Sequence, residues 1–139
     1  MLEEDEYNEL ARLFAGDEIK RVVFYMGAFK APGLYGYQAL FFQRYWDITG
    51  GQFIHMVLKV LRGRTFPKSL NDTFLVLIPK VENPQSVTQL RPISLCNFSY
   101  KAITKSIANR IKPVLSKLIA HTQSSFVPGR QILDNIIIA

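Results

Sequence analysis

Apolar residues recur along this chain with two different periods, and the change falls near Pro67. Before it, Ile19, Val22, Val23 and Met26 follow the i, i+3, i+4, i+7 spacing of a half-buried helix. The segment from Glu3 to Met26 is expected to be helical with a break near Ala15-Gly16. Asp17 and Glu18 stand where carboxylates favour the positive end of its second part. Lys30-Ala31-Pro32-Gly33 interrupts the pattern with a turn. Tyr37, Leu40, Phe41, Tyr45 and Ile48 predict another helical stripe, ended by Gly50-Gly51. Phe53, Met56, Val57, Val60 and Leu61 predict a third, stopping at Gly63.

After Pro67 the apolar residues become continuous. Thr73 to Ile78 is a short run whose apolar residues include β-branched Val76 and Ile78, and it predicts a strand. Asn83-Pro84 turns the chain, and Leu90 to Cys96 predicts the returning strand. Pro79 and Pro92 suit a hairpin at an edge rather than a central ladder. From Phe98 to Ile119 one helical arc holds Tyr100, Ile103, Ile107, Ile111, Val114, Leu115 and Leu118, while Lys101, Lys105 and Lys112 share a separate, narrow arc. Pro113 lacks the N–H that an interior helix needs, which predicts a kink or restart at Lys112. A turn at Pro128-Gly129 follows. The apolar residues Ile132 to Ala139 carry no stop signal, so the chain is expected to be cut rather than finished. The expected class is α+β, with helices around a small antiparallel hairpin and one open face.

Composition narrows the setting. At 139 residues, 48% of them hydrophobic and 20% charged, the chain is globular and long enough for one ordinary domain. Cys96 is the single cysteine, so no internal disulfide can form. The acidic start has no apolar leader and the longest aliphatic run cannot span a bilayer, which predicts an intracellular chain without a membrane partner. Net charge is +6, but seven of the eleven acids lie in the first eighteen residues. From residue 19 onward sixteen Lys/Arg stand against four acids, a balance of +12. Such a bias is either a solvated basic surface or a field that attracts a polyanion.

Recognisable catalytic sets are absent. The sequence has no Gly-rich phosphate loop and no Cys/His metal cluster, and His55 and His121 are isolated. The acids outside the N-terminal run are scattered singles, so neither catalytic residues nor metal ligands are assigned. The positive signal is cationic. In a hairpin closed between Glu82 and Gln89, Lys80 and Arg91 lie near the loop end of opposite arms, where an ammonium and a guanidinium can grip phosphate oxygens from two directions. The bland account is that they keep an edge hairpin soluble. The lysine arc has its own bland account, a solvated helix edge. Residue chemistry leaves both contests open.

The ordered blocks KAPG, FFQRYW, LIPK, RPISLCN, YK, ANR and QSSFVPGR resemble the start of the reverse-transcriptase domain of LINE-type, non-LTR retrotransposons, most of all those abundant in plant genomes. The resemblance divides the chain into an acidic segment, 1–16, and a partial reverse-transcriptase domain, 17–139. It implies the fingers of a right-hand polymerase up to the start of the palm. It implies that Arg91 grips the triphosphate of an incoming dNTP, with Lys80 the weaker second candidate. Lys30, Gly33 and Gly36, and likewise Gln123, Phe126, Gly129 and Arg130, correspond to segments lying along template or primer. Where the family usually reads KAPGPDG, this chain has Leu34-Tyr35, which loses a cap expected for a helix starting near Gly36.

The same resemblance places the palm's metal-binding aspartates beyond Ala139, in a palm and thumb segment that would have to be supplied. Mg²⁺ is then expected for an intact member and none for this chain, with an RNA/DNA template-primer and dNTP as partners and a nuclear setting only for an intact element. The leading expectation is a truncated reverse-transcriptase domain, inactive alone. The alternatives are a residual basic nucleic-acid-binding module without catalysis and a marginally folded remnant without function.

Overall fold

The computed structural model describes residues 2–64 and 67–119. It is α+β, with six helices and one two-stranded antiparallel sheet among the described residues. The chain divides into two compact units, Phe14–Lys105 and Met1–Leu13 with Ser106–Ala139.

In the larger unit, α2 (Gly16–Tyr25), α3 (Ala39–Arg44), α4 (Trp46–Leu61) and the start of α5 (Phe98–Ile111) enclose the core. The stripe read from spacing on α2 is the buried one, with Ile19, Val22, Val23 and Met26 all inside. Glu18 accepts the backbone N–H of Ala15 at 2.8 Å, the half of a capping box that an alanine N-cap still allows. Phe42 lies flat on Phe98 at a ring separation of 4.3 Å and tilts against Phe53 at 5.0 Å, joining α3, α4 and α5. Gln43 donates from Nε2 to the carbonyls of Val23 and Met26, both at 2.9 Å, and so satisfies acceptors that the end of α2 leaves open.

Two expectations for this region are corrected. Gly50-Gly51 does not end a helix, because α4 runs through both. A Cβ on Gly50 would stand 2.6 Å from the indole of Trp46, so that glycine makes room for a ring one turn earlier. The predicted stripe of Tyr37, Leu40, Phe41, Tyr45 and Ile48 faces outward, every member exposed. Ala39 and Phe42 are the residues that α3 turns to the core.

The hairpin keeps its expected bounds. β1 (Thr73–Pro79) pairs with β2 (Leu90–Cys96), in register from Thr73 opposite Cys96 to Pro79 opposite Leu90. Phe74, Leu75, Val76, Leu77 and Ile78 are exposed on both faces of β1. A continuous apolar strand usually belongs to a sheet covered on both sides. Among the described residues neither side is covered.

In the smaller unit, α1 (Glu4–Ala11) accompanies the end of α5, a 3₁₀ turn (Lys112–Val114) and the short α6 (Leu115–Leu118). The restart expected at Lys112 is present, with Pro113 inside the 3₁₀ turn, where its missing N–H costs nothing. Arg110 donates to the carbonyls of Leu10, Arg12 and Leu13, which closes the C-terminal end of α1. Lys117 reaches Glu6 at 2.7 Å and Glu3 at 3.6 Å.

The hydrogen bond from Lys117 lowers the Glu6 carboxyl below its ordinary 4.5, and the bond to Glu6 raises Lys117 above its ordinary 10.5. A depressed carboxyl stabilises above its ordinary value and stops as pH falls through its folded value. A raised ammonium stabilises below its ordinary value and stops as pH climbs through its folded one. Amide exchange in α1 is therefore expected to stay constant through neutral pH and to accelerate, relative to a Glu6→Gln variant, as pH drops below about 4.5. Parallel pH profiles for the two proteins would refute the contact's role.

Candidate functional site

The hairpin's register decides where its two cations go. Arg91 pairs with Ile78, and side chains directly opposite share a face. Lys80 is two residues beyond Ile78, and its N–H bonds the carbonyl of Gln89 at 2.8 Å, so the ladder continues to it. Pleat parity therefore sets Lys80 and Arg91 on one face as diagonal neighbours, with centres about 7–8 Å apart in ordinary antiparallel geometry. Both are exposed.

The loop behind them is held by its own side chains. Gln89 accepts the N–H groups of Gln85 at 2.6 Å and Ser86 at 3.3 Å through Oε1. Lys80 Nζ donates to the carbonyl of Thr88 at 2.8 Å. An ammonium has three donors, so Lys80 braces the loop with one and keeps two for a ligand. The pair can hold an anion of phosphate geometry, the guanidinium through its planar fork and the ammonium as a point charge.

The KAPG segment is positioned by a residue that sequence reading passed over. Asn97, 2% exposed, accepts the N–H of Tyr35 at 3.2 Å. From Nδ2 it reaches the carbonyls of Asp72 at 3.1 Å and of Ser69 and Leu70 at 3.4 Å. One amide thus joins the KAPG loop, the 3₁₀ turn Lys68–Asn71 and the entry to β1. Its only trace in the sequence is its place at the end of the RPISLCN block.

Gly33 is buried against the same junction, where a Cβ would fall 2.4 Å from the backbone nitrogen of Asn97. Gly36 closes the turn, its N–H bonding the Gly33 carbonyl at 3.0 Å with φ +72°. The helix after this turn starts at Ala39 with Gln38 as N-cap, not near Gly36. A carboxylate at position 35 would thus not be its N-cap; Tyr35 instead donates its hydroxyl to the Ser69 carbonyl at 3.3 Å. Lys30 is exposed at the head of the loop.

The three lysines of the predicted basic arc have different surroundings. Lys101, half-buried, spends a donor on the carbonyl of Ala31 at 2.7 Å and so ties α5 to the KAPG loop. Lys105 is exposed on α5, and Lys112 is exposed in the 3₁₀ turn of the smaller unit. Gln123, Phe126, Gly129 and Arg130 lie outside the described residues. Among the described residues no three His, Cys, Asp or Glu side chains gather. No helix of the described residues is long and apolar enough to cross a membrane.

Comparison with known proteins bears on the family. Residues 78–139 match the family model of reverse transcriptase (RNA-dependent DNA polymerase). The chain is also similar to the transposon TX1 uncharacterized 149 kDa protein of Xenopus laevis, 35% identical over 122 residues. That alignment takes in 88% of this chain and 9% of the amphibian protein, so the chain spans under a tenth of that relative's length. The match to the family model begins at Ile78, inside the hairpin that carries Lys80 and Arg91. With the ordered blocks already traced from KAPG onward, the chain carries part of a reverse-transcriptase domain of the LINE-type, non-LTR retrotransposon kind.

Proposed function

We propose that this chain supplies the fingers-side surface of an RNA-directed DNA polymerase, gripping the triphosphate of the incoming nucleotide with Arg91 and, more weakly, Lys80. The observation that carries the reading is the shared face of these two cations beside a loop that Gln89 and Lys80 hold in shape. Template contact falls to the KAPG loop through exposed Lys30 and Gly36, with buried Gly33 holding the loop in place, and to Gln123, Phe126, Gly129 and Arg130. Chemistry at the primer hydroxyl needs paired carboxylates holding two Mg²⁺ ions. The acids of this chain are poorly placed for that, with none between Glu82 and Asp134. Alone the chain is therefore a binding surface, and its catalytic carboxylates come from other residues of the polymerase.

Equilibrium dialysis of the full 139-residue chain with labelled dTTP at low salt tests the reading. Loss of a bidentate charged contact in Arg91→Ala should weaken binding about tenfold or more, and Lys80→Ala less. Equal retention of dTTP by wild type and Arg91→Ala would sink the assignment. Primer extension on an RNA template with Mg²⁺ is expected to give no product, and reproducible extension would refute the division of labour. A second reading, a basic nucleic-acid binder without nucleotide contact, draws on the +12 balance after residue 18. It is the outcome in which RNA binds with a steep salt dependence while dTTP does not bind.

A further inference from the structure

A helical stripe of large apolar residues ordinarily faces a core, yet the stripe on and around α3 faces outward. Tyr37, Phe41 and Tyr45 recur every fourth residue and are 51%, 36% and 50% exposed. Their rings form a ladder, Tyr37 to Phe41 at 4.7 Å and Phe41 to Tyr45 at 5.3 Å. The ladder is anchored rather than loose. Phe41 meets Phe42 edge-on at 5.3 Å, and Phe42 stacks on Phe98 in the core. The rings line one side of an open groove of about 460 Å³, whose lining includes the turn at Gly36 and contains one cation, Arg44, and no acid.

Three features select the occupant. Three aromatic rings offer stacking area in a lining that otherwise contributes Leu40 and Pro32 as its apolar side chains. The two outer rings are tyrosines, which tolerate water at one end. A single guanidinium with no carboxylate beside it in the lining suits an anionic ligand. Planar, anionic and extended together describe a single-stranded nucleic acid, whose bases stack on rings in any sequence while its phosphates meet a cation. We infer that Tyr37, Phe41 and Tyr45 form a base-stacking platform for single-stranded RNA, with Arg44 taking a phosphate. The inference rests on the reading that this chain contacts nucleic acid, and it adds a stacking site apart from the hairpin and next to the KAPG loop, whose Pro32 and the following Gly36 also line the groove. It also gives the misplaced stripe a reason to be exposed.

The test uses the full chain, an oligo-adenylate of twelve nucleotides, and an abasic oligomer of the same length that keeps the phosphates and lacks the bases. Wild type is expected to prefer the adenylate by at least about fivefold for each stacked base. In Tyr37→Leu/Tyr45→Leu, which keeps apolar bulk and loses two of the three ring faces, that preference should fall to at most the share of Phe41 while the dependence of affinity on salt is unchanged. Arg44→Gln should instead lower the log-log salt slope by about 0.7 and spare the base preference.

Equal binding of both oligomers by wild type overturns the platform and leaves a charge-only nucleic-acid surface. Binding of neither overturns the nucleic-acid reading, and the platform with it. If the leucine variant keeps the base preference but turns a wild-type dimer into a monomer on sedimentation, the face is a self-association surface and the platform is wrong.

Discussion

Gly33→Ala is expected to cost about 3 kcal/mol or more of folding stability, the upper part of the range for overpacking. The added methyl carbon would lie 2.4 Å from the nitrogen of Asn97, 2.5 Å from the carbonyl carbon of Cys96 and 2.6 Å from the Asn97 Cα. All three are backbone atoms at the end of β2, and none can swing aside as a side chain would. Relief requires moving the KAPG loop away from the sheet, which breaks the bond from Tyr35 to Asn97. Domains of this size have only about 5–15 kcal/mol in hand, so the loss is a large share of the total. Urea unfolding followed by circular dichroism should show a lower midpoint at unchanged slope. Gly36→Ala is the control, since open space surrounds it and only its positive φ is penalised, by about 1–2 kcal/mol. A Gly33→Ala midpoint above that of Gly36→Ala would mean that the close approach is not a constraint.

Asn97→Ala carries the second large effect, about 2–3 kcal/mol, because it takes away the partner of the part-buried Tyr35 N–H and of the Leu70 and Asp72 carbonyls, while the Ser69 carbonyl keeps the Tyr35 hydroxyl. Asn97→Asp separates hydrogen bonding from volume. The aspartate is nearly isosteric and keeps an acceptor for Tyr35, but it turns oxygen toward the carbonyls of Asp72, Ser69 and Leu70. It should be at least as destabilising as alanine at pH 7, and should recover partly below about pH 4, where a protonated carboxyl regains one donor. Urea midpoints at the two pH values check this. An Asn97→Ala midpoint matching wild type would remove the residue from the account. Because Gly33 and Asn97 meet at one junction, the double variant is expected to lose less than the two losses added together. The same junction holds the KAPG loop in place beneath Tyr37, so both substitutions should also weaken RNA binding.

The stripe on α2 and the two arms of the hairpin were legible because they depend on local rules. A 3.6-residue period, a β-branched run and a proline near each strand's loop end leave few alternatives. The restart at Lys112 was legible for the same reason, since proline acts on its own turn. Lys80 and Arg91 were legible as a pair near the loop, but their common face is a matter of register, which counts residues across two strands. Gly50-Gly51 misled because glycine marks a helix end only when nothing else needs the space, and the indole of Trp46 needs it. Asn97 was invisible as an organiser, because the groups it joins are 25 to 62 residues away in sequence.

The sequence by itself determined the hairpin, the α2 helix, the restart at Lys112, the charge asymmetry and the family, since each is written in short blocks whose meaning does not depend on distant neighbours. Tertiary structure decided which of two similar apolar stripes is core and which is surface. Periodicity reports that a helix has a face, and only the packing of Phe42 against Phe98 and Phe53 reports which face is satisfied. It likewise decided that Lys101 is a strut to the Ala31 carbonyl while Arg91 stands exposed on the hairpin. A lysine's charge is fixed by its chemistry, but its availability is fixed by what the fold brings within 3 Å of it.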